Sequence, residues 1–169
     1  MIRLTDGVIL LRPLTPQDAA AHLAGEDDEI AIWLSGGRST AATVRRYIAR
    51  SLEDWQKNGP RRAFGIFDCA TGSLVGSVEA NLSLPHLDSG QANVSYGVFA
   101  AWRGKGIALR ALRLVCEYLK TSTNACQIVL RAAPANLASI RVAEKAGFKF
   151  IGVIQETDGP MSCYVLDLR

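Results

Sequence analysis

Val94-Ser95-Tyr96-Gly97-Val98-Phe99-Ala100 runs through Ala101-Trp102 into Arg103-Gly104-Lys105-Gly106-Ile107-Ala108, and a helical pattern begins at once. A β-like run that passes through glycines into a helix is the geometry of an anion site. The helix N-terminus offers free backbone N–H groups and the positive end of its dipole. Gly104 and Gly106 let the backbone approach an anion without a Cβ in the way. Arg103 and Lys105 can add charge-assisted contacts to phosphate. Taken alone, an ordinary strand-to-helix turn fits these residues equally well. The Walker loop is excluded, because no Gly-Lys-Ser/Thr ending follows, and so is the Gly-x-Gly-x-x-Gly dinucleotide fingerprint.

Outward from this stretch, strands and helices alternate. Upstream, Val8–Arg12 reads as a strand ended by Pro13, and Thr15-Pro16-Gln17-Asp18 opens a helix with Thr15 as N-cap. That helical region runs towards Trp33 and breaks at Ser35-Gly36-Gly37. Thr40 to Trp55 shows helical spacing at Val44, Tyr47, Ile48, Leu52 and Trp55. Ala63–Cys69, Leu74–Leu84 and Ala92–Ala100 are β-like. Downstream come a helix from Gly106 to Lys120, a strand at Gln127–Arg131, and a helix at Asn136–Ala146 closed by Gly147. Phe148–Gln155 and Met161–Leu168 flank an Asp158-Gly159 turn as a hairpin. The order β-α-α-β-β-β-α-β-α-β-β is that of one α/β domain, residues 1–169, with a mixed sheet.

Composition narrows the function classes. At 169 residues, 49% hydrophobic and 21% charged, the chain has the make-up of one soluble globular domain. No run approaches the length of a membrane span, and the N-terminal residues lack a basic segment followed by an apolar one, so a cytoplasmic protein is expected. Cys69, Cys116, Cys126 and Cys163 form no CxxC pair, which predicts reduced thiols and no metal site. The net charge of +3 comes from interspersed basic and acidic residues. Nucleic-acid binding is therefore not expected, whereas a mild positive balance suits an anionic cofactor.

The phosphate loop resembles that of the GNAT superfamily of N-acetyltransferases, whose pattern Arg/Gln-x-x-Gly-x-Gly/Ala is met by Arg103, Gly106 and Ala108. A second family element fits at Asn136-x-x-Ser139 and Glu144-Lys145-x-Gly147-Phe148. The opening Leu11-Arg12-Pro13-Leu14-Thr15-Pro16-Gln17-Asp18 looks like the ribosomal-protein (Rim-type) branch. The resemblance implies a mixed, mostly antiparallel sheet flanked by helices, with a splayed central strand pair. It also implies acetyl-CoA as cosubstrate, with no metal, and an amine acceptor, either a peptide N-terminus or a small molecule.

Carried over residue by residue, the resemblance gives Val98, Phe99 and Ala100 the backbone that pairs with pantetheine. Arg103, Gly104, Lys105, Gly106, Ile107, Ala108 and Leu109 would hold the pyrophosphate. Asn136 would bond the pantetheine region, although an N-cap explains it too. Many relatives place a Tyr seven residues after the Asn as the acid for the thiolate, and here that position is Ala143. Ser139 stands as replacement, or as a first-turn residue bonding its own helix; Tyr164 is a reserve acid or a half-buried aromatic. Where relatives carry a basic Glu, this chain has Asn93. Glu79 is then the remaining carboxylate at sheet depth, unless it faces solvent, and Glu156 and Asp158 could reach an amine through water. The acidic run Glu26-Asp27-Asp28-Glu29 is either a solvated helix end or a lure for a cationic amine, and Trp33 is either core or a wall of the acceptor groove. The expected activity is acetylation of a primary amine by a monomer or homodimer; the alternative is a catalytically weak acyl-CoA-binding or regulatory module.

Overall fold

Strands buried on both faces build the centre of the domain, β3 (Arg61–Asp68) burying six residues in a row from Arg62 to Phe67. The computed structural model describes all 169 residues. Strands β1 (Leu4–Thr5), β2 (Ile9–Arg12), β3 (Arg61–Asp68), β4 (Leu74–Asn81), β5 (Gln91–Val98), β6 (Gln127–Ala132), β7 (Lys149–Glu156) and β8 (Gly159–Asp167) form one sheet in the order β1-β2-β3-β4-β5-β6-β8-β7. Every neighbouring pair is antiparallel except β5 and β6, which run parallel. A parallel pair needs a crossover, and helix α4 (Ile107–Ser122) supplies it.

Ile9, Leu11, Phe64, Ile66, Val78, Ala80, Ala92, Val94, Ile128 and Leu130 sit in the main core with Ile107, Ala111, Leu112, Val115 and Leu119 of α4. Those α4 positions recur at three and four residues, so one stripe of the helix is buried. Helix α5 (Leu137–Lys145) joins this core through Ala143. The opposite face is covered by α1 (Ala19–Gly25) and α3 (Ala41–Lys57), where Leu14, Val44, Ile48 and Phe67 make a second, smaller core.

Several local expectations hold. Gly147 has φ +92°, with its N–H bonded to the Glu144 carbonyl and that of Phe148 to the Ala143 carbonyl, so it ends α5 in the left-handed conformation that glycine tolerates. Others differ. The helix opened by Thr15 starts as a single 3-10 turn, Pro16–Asp18, in which Asp18 accepts hydrogen bonds from the Thr15 N–H and hydroxyl. The region towards Trp33 is broken after Gly25. A short helix, α2 (Asp28–Ile30), is capped by Asp27 and runs into a π-helical turn at Ala31–Ser35. Strand β1 has no signal in the sequence, because two residues carry no periodicity.

Candidate active site

Strands β5 and β6 pair only at their beginnings: Gln91 with Gln127, Ala92 with Ile128, and Asn93 with Val129. Beyond these residues β5 keeps β4 as its neighbour and β6 keeps β8, so the two strands part. The divergence leaves backbone polar groups on the inner edges without a ladder partner. A cavity of about 400 Å³ opens there. Tyr96, Gly97 and Val98 form its floor, the loop and first turn of α4 its mouth, α5 one wall, and Ile30, Trp33 and Leu34 another.

The mouth is shaped for an anion. Gly104 and Gly106 have φ of +74° and +77°, the left-handed region in which a side chain is strained. Gly106 is the N-cap of α4 and no side chain caps the helix, whose first backbone bond runs from the Arg110 N–H to the Gly106 carbonyl. The N–H groups of Ile107, Ala108 and Leu109 therefore have no acceptor within the helix. All three residues line the cavity. Arg141 and Lys145, one turn apart on α5, bring two cations to the same space.

The Arg103 side chain is occupied elsewhere. Its Nη1 and Nη2 donate to Asp27 at 2.7 and 2.9 Å, its Nε donates to the Val98 carbonyl at 2.9 Å, and Glu29 lies 2.6 Å from Nη1. The Arg103 pair holds the Asp27 carboxyl down to about 2. The rest of the acidic run is also engaged: Glu26 accepts from the Ser39 N–H at 2.6 Å, and Asp28 pairs with Arg38. Asp27 and Glu29 fasten the segment before α3 to the phosphate loop through Arg103, while Asp28 and Glu29 stay largely exposed to solvent.

Two hydroxyls meet inside the cavity. Tyr96 Oη donates to the Ser139 carbonyl at 3.1 Å, and Ser139 Oγ donates to Tyr96 Oη at 3.2 Å. Burial pushes the Tyr96 phenol up to about 12. Asn136 caps α5, its Oδ1 accepting from the Ser139 N–H at 3.3 Å, and it lines the cavity as well. The capping and cofactor readings of Asn136 are thus compatible, since its amide nitrogen is not needed for the cap.

On the other face of the sheet, Glu79 lies opposite Ser95, and Asn81 opposite Asn93. With a two-residue period these four side chains share a face. Tyr47 of α3 donates to Glu79 Oε2 at 2.9 Å, and Arg61 Nε is 3.6 Å from Oε1. Burial raises the Glu79 pKa above the ordinary carboxylate value, although its side chain keeps 23% of its surface exposed. No group of three or more His, Cys, Asp or Glu side chains is placed to hold a metal ion, and no helix is long and apolar enough to cross a membrane.

A family model described as the acetyltransferase (GNAT) domain matches residues 9–149. The chain belongs to the GNAT acetyltransferase family. A probable N-acetyltransferase, YjcK of Bacillus subtilis (strain 168), is 30% identical over 157 residues, covering 88% of this chain and 84% of that protein. Among solved structures, the RimL ribosomal L7/L12 alpha-N-protein acetyltransferase in complex with coenzyme A superposes with a TM-score of 0.85 at 15% identity, covering 98% of both chains. The aminoglycoside acetyltransferase AAC(6')-Ib in complex with coenzyme A gives 0.79 at 25% identity over 94% of both chains.

Not every residue expected at the site of this GNAT acetyltransferase lines the cavity. Val98, Arg103, Gly104, Gly106, Ile107, Ala108, Leu109, Asn136 and Ser139 do. Phe99 instead turns its ring against Gly25 and His22, Ala100 starts the 3-10 turn Ala100–Trp102, and Lys105 stands over the Trp102 ring at 4.9 Å. Tyr164 is buried in the main core with its ring 5.4 Å from that of Phe150, away from the cavity lining. Glu156 pairs with Arg131. Sequence reasoning missed Tyr96, which alternation alone assigns to the core, and Arg141 and Lys145, whose i, i+4 spacing on an N-capped helix was a usable signal.

Proposed function

We propose that this acetyltransferase moves the acetyl group of acetyl-CoA to a low-pKa primary amine, a peptide α-amine or a comparable small-molecule amine, by direct attack on the thioester. The observation that carries the reading is the parting of β5 from β6 with the uncapped start of α4 at its mouth. An anionic cofactor with a long arm fits this arrangement, its pyrophosphate on the N–H groups of Ile107 to Leu109 and its arm along the free edge of β5. Arg141 and Lys145 add charge beside the phosphates, while the backbone of the loop, rather than the Arg103 side chain, makes the closest contacts.

The acyl group at the end of that arm has the Tyr96–Ser139 hydroxyls on one side of the sheet and Glu79 on the other. Amine attack then comes from the Glu79 side. Glu79 takes the amine proton, directly or through water, because its raised pKa makes it a better base than an exposed carboxylate. Backbone N–H groups on the free edge of β5 polarise the carbonyl.

The kind of amine follows from the cost of neutralising it. A lysine side chain with pKa about 10.4 costs about 3 kcal/mol more to deprotonate than an α-amine near 8. Glu79 already accepts a hydrogen bond from Tyr47 and pairs with Arg61, and Asn93 cannot take a proton, so little is left to offset that cost. Turnover of acetyl-CoA is to be measured with N-terminal peptides, amino acids, polyamines and aminoglycosides, and the products mapped by mass spectrometry. Acetylation at α-amines or low-pKa amines supports the reading. Modification confined to internal lysines contradicts the amine class, and CoA binding without turnover on any acceptor leaves a cofactor-binding module instead.

A further inference from the structure

The α5 helix of this chain has no phenol where the resemblance places one, since Ala143 stands there and is fully buried. A phenol nonetheless enters the same cavity from a different element. Tyr96 comes from the part of β5 that β6 no longer covers, and its hydroxyl reaches the first turn of α5. Ser139, Asn136, Gly97 and Val98 surround it in the cavity lining.

The direction of the two hydrogen bonds assigns the roles. Ser139 Oγ–H points at the Tyr96 oxygen, so in this arrangement the serine hydrogen is directed at Tyr96. Tyr96 places its own hydrogen on the Ser139 carbonyl, an acceptor already bonded within its helix turn and easily given up by rotation about the phenolic C–O bond. Resting on the reading that acetyl-CoA lies in this cavity, we propose that Tyr96 is the hydrogen-bond donor to the departing CoA sulfur, and that Ser139 is a positioning residue that orients and polarises the phenol.

The step balances with no acid beyond solvent. The amine nitrogen forms its bond to the carbonyl carbon, the C–S bond breaks with its electron pair on sulfur, the proton lost by the amine passes to Glu79 and on to water, and the CoA thiolate takes its proton from solvent. Tyr96 keeps its hydrogen. A phenol pushed up to about 12 is a weaker acid than a thiol near 8.5, so the phenol stabilises the developing thiolate by a charge-assisted hydrogen bond rather than by full transfer. Such a donor acts only as charge develops, so its loss lowers kcat and leaves ground-state binding alone.

The test compares Tyr96→Phe and Ser139→Ala with the unaltered enzyme, using an acceptor that the unaltered enzyme turns over. Folding is checked by circular dichroism and CoA affinity by calorimetry. Expected for Tyr96→Phe is a kcat about 10- to 100-fold lower, with KM for acetyl-CoA and the affinity for CoA within about twofold, the loss of one preorganised donor. Ser139→Ala is expected to retain at least about a tenth of kcat and to lose less than Tyr96→Phe. A folded Tyr96→Phe with kcat within about twofold of the unaltered enzyme, or a greater loss in Ser139→Ala than in Tyr96→Phe, overturns the proposal. Should Tyr96→Phe fail to fold, Ser139→Ala decides alone: a loss beyond about tenfold makes the serine the donor and overturns it. Absence of turnover in the unaltered enzyme would instead sink the proposed activity, which keeps the two failures apart.

Discussion

Arg103 grips Asp27 through two parallel N–H···O bonds of 2.7 and 2.9 Å across 76 positions of sequence. The pair locks the phosphate loop to the start of α2, whose Ile30 N–H donates to the same Asp27 carboxylate at 3.0 Å. A planar guanidinium matched to a carboxylate fixes orientation as well as distance. Asp27 thus has two separable roles, cap and ion-pair partner.

Those roles separate by substitution. Asp27→Asn keeps a capping side chain but removes the charge, so the loop loosens while α2 persists. The expected result is a several-fold rise in KM for acetyl-CoA with little change in kcat or Tm. Asp27→Ala also loses the cap, worth about 1 kcal/mol, which lowers Tm by a further 2–4 °C or so in a domain of this size. Steady-state kinetics and thermal melts check both, and equal KM in all three proteins would remove the brace from the account.

Glu79 sets a pH dependence. Its pKa is raised by burial, so the carboxylate form is less stable in the folded protein than in the unfolded chain. The sign follows: this group adds stability below the ordinary Glu pKa, and that contribution is lost as pH rises through its raised folded value. Glu79→Gln, which keeps an acceptor for Tyr47, therefore leaves stability at pH 7 equal or slightly higher. If Glu79 is the base, kcat/KM in the original enzyme falls on its acid side above the ordinary carboxylate range, and Glu79→Gln is slow with that limb gone. A stable Glu79→Gln enzyme with an unchanged pH–rate profile would clear Glu79 of the role.

Restoring the phenol on α5 will not work. Ala143 is fully buried in the main core, so Ala143→Tyr overpacks the contact between α5 and the sheet. A cost of about 1–3 kcal/mol or more is expected, visible as a lower urea midpoint, with no gain in kcat. A stable and faster Ala143→Tyr enzyme would show that α5 has room the packing denies.

The strand–loop–helix unit at 94–109 was legible because its signals are local: glycines where φ is positive, and a helix start with no capping side chain. Asn136 and Gly147 marked both ends of α5 for the same reason. The brace between Arg103 and Asp27 was not legible, since an acidic run carries no mark of a partner far along the chain. Nor was the place of Tyr96 in the cavity, because strand alternation puts it among core positions and only the parting of β5 from β6 opens a cavity beside it. Glu79 shows the middle case: the pattern places it inside a strand, expected at Leu74–Leu84 and observed at Leu74–Asn81, while its burial depends on Tyr47 from a helix on the far side of a loop.

The central claim, that the gap between β5 and β6 is the acetyl-CoA site, is tested most directly by calorimetric titration of CoA into the unaltered protein and into Gly106→Val. At Gly106 an added Cβ meets nothing within 4 Å, so the substitution acts through the left-handed φ of +77° and the loop geometry it enforces, not through a clash in the core. The account predicts a folded variant whose CoA affinity is at least about tenfold weaker, a loss of about 1.4 kcal/mol. A folded Gly106→Val protein that binds CoA as tightly as the unaltered one would contradict it.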